Sequence, residues 1–276
     1  MIKDEETLWH QQVKEYREMI ENREEENRHK SKSSLQEYEE AISYFHSLQM
    51  FAFTEHANIR SLQPHDGAIS MLAFRASNDI LAAWNLLLCG YFTGVNSILR
   101  SVYEACISII YFSEFPDDAA TWWKMNPKKN EEHGIYVGNM RQKLIDTEKL
   151  DSGHRDLYSV LSQMTHPNAD SMYPGLERGT ISGKSVIIFN VVGKFEEKKV
   201  KDFAKCICIL SLNLTTCMFE AMDGIIEMSP YKTMDEFLNA LDAMAQHLKL
   251  DERLLGEEPN KRYGAIHGLD EELFGS

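Results

Sequence analysis

The chain lacks an excess of positive charge. Lysine and arginine number 29 against 43 aspartates and glutamates, a net charge of −14. A protein that coats nucleic acid needs a basic face, so that class is excluded as a general mode. A small basic cleft in an acidic body is not excluded. Unbroken apolar runs of membrane length are also missing. Segment 80–99 is interrupted by Asn85, Thr93, Asn96 and two glycines, and segment 207–222 by Asn213 and Glu220. The second is also short for a bilayer crossing. Both are expected as helices buried in a bundle, which need apolar side chains on all sides, with no membrane partner. The opening MIKDEETLWH is charged at once and does not read as a signal peptide.

Metal-type cysteine pairing is absent too. Cys89, Cys106, Cys206, Cys208 and Cys217 all lie in apolar helical runs, and residues two apart on a helix diverge. Buried, reduced thiols are the expectation, and with them a cytoplasmic location. The chain has no GxxxxGK[ST], no Rossmann glycine triplet, no HExxH and no GxSxG. Its ten histidines are scattered singly. No cofactor and no metal site is therefore expected, and no repeat or low-complexity block organises the chain.

What is present is helical periodicity. Residues 4–31 place Trp9, Val13, Tyr16 and Ile20 on one face, with the charge run NREEENRHK behind them. Ser34 with Glu37 reads as a capping box opening a second helix to about Ile59. This second helix is apolar on more than one side, through Tyr44, Leu48 and Phe51 besides Ile42 and Phe45. Asp66 can cap a third helix, with Ile69, Leu72, Ala76, Ile80, Ala83 and Leu87 at helical spacing. The CGYFTG stretch is expected to weaken or bend it, and a further helix runs to about Glu114, before Pro116. Shorter helices are expected over 117–125, 131–149 and 152–165. A long one is expected over 197–228, and a last one, opened by Thr233 and Glu236, to about Lys249. Around Ser182-Gly183-Lys184 the β-branched residues imply a hairpin. The expected fold is all-α, a multi-helix bundle with one small β-hairpin insertion near residues 178–195. Its organisation is an N-terminal helical hairpin over 1–62, either an oligomerisation arm or a layer of the core, a helical bundle over 63–250 and a C-terminal tail over 251–276. The wide apolar surface of the first two helices predicts a homodimer or higher oligomer.

Two polar constellations stand out. On the helix from about 91 to 114, Arg100 and Glu104 sit one turn apart among Leu99, Val102, Cys106, Ile107, Ile109, Tyr111 and Phe112. Charges on so apolar a cylinder must be paired, since a buried charge stripped of its partner costs about 3–5 kcal/mol. They form either an internal ion pair that fixes helix register or, with Asn96 alongside, a functional pocket. The second constellation is YSVLSQMTHPNAD, residues 158–170. Leu157, Val160, Leu161 and Met164 form a core stripe, and Tyr158, Ser162 and Thr165 a polar stripe leading to His166. Pro167 pushes His166 out of the helical region. Its ring projects from a helix end, where the dipole favours the charged imidazole. Capping the last carbonyls is the alternative role.

Taken together, LRSVYEACISIIYF (99–112) and, roughly fifty residues later, YSVLSQMTHPN resemble a family of helical bacterial proteins. Their pattern is Arg-x-x-x-Glu on one helix and Tyr-x-x-Leu-Ser-x-x-x-His-Pro on a later one. The resemblance covers about 65–190 and allies the chain to the HEPN superfamily, many of whose members are ribonucleases of toxin–antitoxin and phage-defence systems. It carries Arg100, Glu104, Tyr158 and His166 over as candidate catalytic residues, with Asn96 and Ser162 as candidate binding residues. HEPN nucleases carry Arg, four to six residues, then His on one helix. Here that spacing occurs only at Arg23/His29, Arg60/His65 and Arg262/His267: in a charge run, across Pro64, and beside Gly264. Two functions are therefore expected as rivals. One is metal-independent RNA cleavage, with His166 as general acid or base, Arg100 on the phosphate, Tyr158 positioning it and Glu104 orienting Arg100. The other is a non-catalytic binding or assembly module, an accessory or sensor protein with an operon-encoded partner, in which the same four residues form a buried structural network.

Overall fold

The structure, a computed structural model, describes residues 2–59, 64–124, 134–150, 176–181, 184–189, 192–222, 227, 229–248 and 250. Eight helices are delimited among them. They are α1 Ile2–Ser34, α2 Gln36–Ile59, α3 Pro64–Cys89, α4 Phe92–Glu114, α5 Pro116–Lys124, α6 Val137–Asp146, α7 Glu197–Ala221 and α8 Met234–His247. The backbone of β1 Leu176–Ile181 runs antiparallel to β2 Lys184–Phe189, with Glu177 opposite Ile188 and Ile181 opposite Lys184. The class is all-α. The expected helix at 152–165 and the tail at 251–276 lie outside the described residues.

Helix ends follow local chemistry, and several differ from the sequence expectation. The CGYFTG stretch does not merely bend a helix; it ends α3. Gly90 takes φ +89°, its N–H reaches the Leu87 carbonyl at 3.0 Å, and the Tyr91 N–H reaches the Leu86 carbonyl at 2.9 Å. This left-handed stop satisfies the last carbonyls of the helix. Pro64 and Pro116 open α3 and α5, each at a first-turn position where the missing N–H costs nothing. Asp66 consequently falls inside the first turn of α3 instead of capping it. The helix expected over 131–149 is shorter, because Glu148 at φ 57° and the Lys149 N–H to the Leu144 carbonyl close α6 early. The long helix expected to 228 stops at Ala221. At α8 the Thr233 hydroxyl accepts the Glu236 N–H at 3.2 Å, an N-cap as expected.

Ser34 is not a cap. Its hydroxyl donates back to the Lys30 carbonyl at 3.2 Å. The N–H groups of Leu35 and Glu39 continue i−4 bonding to Ser31 and Leu35. The first two helices are thus one kinked helical run, and they do not pack along one another as a hairpin. α2 packs instead on α3 and α7, and α1 on α3 and α7. The apolar excess of α2 is covered within the chain: Ile42, Phe45 and Leu48 are buried, and Tyr44 and Phe51 pack on the core. Val13 and Tyr16 of α1 remain about half exposed, at 47% and 50%.

One core joins α2, α3, α4 and α7. All five cysteines are free and buried. Burial pushes the Cys206 and Cys208 thiols up, and a hydrogen bond with Cys106 raises Cys217, so they act as small apolar side chains. Asn27 of α1 donates its amide to the carbonyls of Cys89 and Gly193, each at 3.0 Å, while Gly193 N–H reaches the Gly90 carbonyl at 2.9 Å. A Cβ at Gly90 would lie 2.3 Å from the Asn27 nitrogen and one at Gly193 2.5 Å from the Phe92 ring. Both glycines are required by close approach. Beside this node the Tyr91 hydroxyl donates to Glu24, which pushes the Tyr91 pKa up to about 12.

A second polar node lies in the core itself. Gln49 donates to the Ser211 carbonyl at 3.0 Å and to the Thr215 hydroxyl at 2.9 Å, and Ser77 donates to Gln49 Oε1 at 2.8 Å. Because the Ser77 proton points at Gln49, its oxygen accepts from His46 Nδ1 at 2.9 Å. Burial lowers the His46 pKa below its ordinary value. A base whose folded pKa lies below its unfolded one binds more protons when unfolded, so its contribution to stability is present above the unfolded value of about 6.5 and is lost as pH falls from there through the lower folded value. Urea midpoints measured at pH 7 and pH 5 will fall for the wild type, and fall less for His46→Gln. Equal falls in both proteins would remove His46 as the cause.

Candidate ligand site on helices α4 and α7

On α4, Phe92, Leu99 and Cys106 recur every seven residues and face α7, where Phe203, Leu210 and Cys217 do the same. Phe92 stacks on Phe203 with centroids 5.4 Å apart, and the Cys106 thiol lies in hydrogen-bonding contact with the Cys217 thiol two heptads, about four turns, further on. The offset between partners is the same in both pairs, so the two helices run parallel in a fixed register. Arg100 and Glu104 lie to one side of the α7-facing stripe.

The ion pair expected there is formed. Arg100 Nε donates to Glu104 Oε1 at 2.8 Å. Its burial, however, differs from the expectation. The side chains are 24% and 30% exposed, because the open edge of α4 comprises Thr93, Ser97, Arg100, Ser101 and Glu104, while the apolar residues cover the rest. The pair is a clasp on the open edge of α4, about a quarter exposed. Towards α3, the Ser101 hydroxyl donates to Asp79 at 3.1 Å and accepts from Arg75 at 3.2 Å, so the cation of α3 and its carboxylate are tied to the same edge.

Asn96, one turn before Arg100, is 2% exposed, and its Nδ2 has no hydrogen-bond partner among the described residues. A buried donor left without an acceptor costs about 1–3 kcal/mol. The sequence reading singled out Asn96 but passed over Asn213, which it took only as an interruption of an apolar run. Asn213 Nδ2 is buried and equally without a partner. In a helix each residue turns by about 100°. Asn213 therefore stands about 60° off the α4-facing stripe of α7 and Asn96 about 60° off the α7-facing stripe of α4, while Arg100 stands about 100° off that stripe, towards the open edge. With the helices parallel in the register above, Asn96 and Asn213 fall on the same side of the helix pair, with Arg100 further round α4 towards its open edge. An asparagine inside an otherwise apolar core helix was the signal available in the sequence.

Tyr158, Ser162 and His166 lie outside the described residues, as do Arg60, Arg262 and His267. Of the Arg/His pairs at nuclease spacing, Arg23 and His29 both belong to α1, and His65 Nε2 lies 3.3 Å from Asp66. No group of three histidine, cysteine or acidic side chains that could hold a metal occurs among the described residues. Among the described helices α7 alone is long and apolar enough to cross a membrane, and most of that stretch is buried against the rest of the chain. No family model matches the chain, and neither the curated proteins nor the solved structures contain a match.

The exposure of the Arg100–Glu104 pair sets its energy. Partly solvated i,i+4 pairs contribute about 0.3–1 kcal/mol, not the 3–5 of a buried one. A double-mutant cycle with Arg100→Ala and Glu104→Ala should return a coupling in the lower range. A coupling near 3 kcal/mol would mean that the pair is closed off from water in solution.

Proposed function

We propose that the protein is a HEPN-like helical ribonuclease that works without a metal, a cytoplasmic effector of a bacterial toxin or phage-defence system. The supporting observation is Arg100: a cation paired with Glu104 and about a quarter open to water, on an otherwise buried helix. A guanidinium fixed in this way suits a phosphate, whose charge it meets without reorganisation. His166 is the general acid or base towards the 2′-hydroxyl or leaving oxygen, Tyr158 positions the phosphate, and Ser162 and Asn96 line the site. The antiparallel strand pair is a small insertion of the bundle near 178–195. Incubated with labelled RNA, the wild type cleaves and His166→Ala does not, while its stability stays within about 1 kcal/mol of the wild type. Equal cleavage, or none, in both proteins removes this reading.

A second reading rests on a different surface. Val13, Tyr16 and Met19 expose apolar groups on α1, away from the core that covers α2. Such a face fits a binding or assembly module, with a second copy or an operon-encoded protein as partner. Light scattering should give the mass of a dimer or larger assembly, reduced by Tyr16→Glu. A monomer mass across a wide concentration range would count against self-association.

A further inference from the structure

Helix α1 is covered over only part of its length. Every side chain described between His10 and Met19 is exposed, Ile20, Arg23 and Glu24 are half-buried, and Asn27 and Ser31 are buried. The covered residues Ile20, Glu24, Asn27 and Ser31 follow one another three or four apart, and the same stripe runs on through Tyr16 and Val13 into water. On the opposite side, Gln11 with Glu15, Lys14 with Glu18 and Arg17 with Glu21 are paired at i,i+4, which keeps those polar groups off the stripe. A helix in a protein draws most of its stability from what packs on its apolar side. The first half of α1 lacks the cover that its second half has.

We infer that a second copy of this chain supplies that cover, its α1 lying antiparallel on the stripe of Val13, Tyr16 and Ile20. The inference rests on the self-association reading and adds to it the surface, the direction and the register. Direction follows from the bundle. From Glu24 onwards the stripe meets the chain's own residues, for Glu24 accepts from Tyr91 and Asn27 donates to the carbonyls of Cys89 and Gly193. A parallel copy would run along the stripe into that bundle. An antiparallel copy runs away from it, and only its first turn reaches the level of Glu24. Register follows from the heptad spacing of the stripe. With Val13 of each copy against Tyr16 of the other, Ile20 falls opposite residue 9, a tryptophan in the sequence, and Arg23 opposite residue 6, a glutamate. Sliding by one heptad sets Val13 against Arg23, or Tyr16 against residue 6.

The test uses the full chain. Val13→Lys and Tyr16→Glu are made singly and together, at exposed positions where a charge disturbs no core of the chain's own, and circular dichroism checks that each variant folds. Sedimentation is expected to give a dimer for the wild type and a dissociation constant about tenfold higher for each single variant, because a lone charge in an apolar layer loses its hydration. The double variant sets the new cation of each copy against the new carboxylate of the other and is expected to recover the dimer. Nitroxides on Glu18→Cys and on Glu25→Cys read the direction, the five native thiols being buried. In the antiparallel dimer the two labels are offset along the axis by about 10 Å at the first site and about 32 Å at the second. A parallel dimer gives nearly equal separations at both. If the wild type is a dimer but the double variant is no tighter than the single ones, or the two separations agree, the antiparallel pairing is overturned and the self-association reading stands. Single variants that dimerise like the wild type overturn α1 as the surface. A wild type that stays monomeric overturns both.

Discussion

Helix α7 carries buried side chains around most of its circumference, and in water such a cylinder persists only when other helices cover it. α2, α3 and α4 supply that cover. Their apolar faces would allow several sliding arrangements, because dispersion and burial are not directional. Direction comes from Gln49, whose amide meets Ser211 and Thr215 on α7 and whose oxygen receives Ser77 of α3. One side chain of α2 thereby fixes where two other helices sit. Each group in that network is buried, so a shift of a single turn would leave polar atoms without partners.

The same dependence reaches the rim through the turn at Gly90. Because α3 stops there in a left-handed residue, α4 starts at Phe92 and brings its heptad of Phe92, Leu99 and Cys106 against α7. Asn27 and the backbone of Gly193 bind that turn to α1 and to the segment leading into α7. The register of α4 on α7 follows, and with it the placing of Asn96 and Asn213 on the same side of the helix pair. The position of these side chains is thus set by packing more than a turn of helix away.

Charge explains why that rim is unusual in this molecule. With a net charge of −14, the surface as a whole repels polyanions, and at physiological salt such repulsion fades beyond about 8 Å. Arg100, paired with Glu104 on the open edge of α4, is a cation in this acidic surface. Glu104 reduces the net positive charge there but holds the guanidinium in one orientation, so little freedom remains to be lost when an anion arrives.

Much of the bundle was legible in the sequence because helical periodicity is a local property: Ile69, Ala76, Ile80, Ala83 and Leu87 read as one stripe and are buried as one stripe. The pairing of Arg100 with Glu104 followed from their spacing of one turn, and the N-cap of α8 from Thr233 and Glu236. What depended on neighbours far along the chain was decided only in three dimensions. Ser34 has the spelling of a cap, but the helical run continues through it, because Leu35 is buried in the core and holds the chain helical at the kink. Arg100 looks buried from its own helix and is about a quarter exposed, since exposure is set by which faces other helices cover. Asn213 falls on the same side as Asn96 only through the parallel seating of α7 on α4, a contact between residues more than a hundred positions apart that no local pattern encodes.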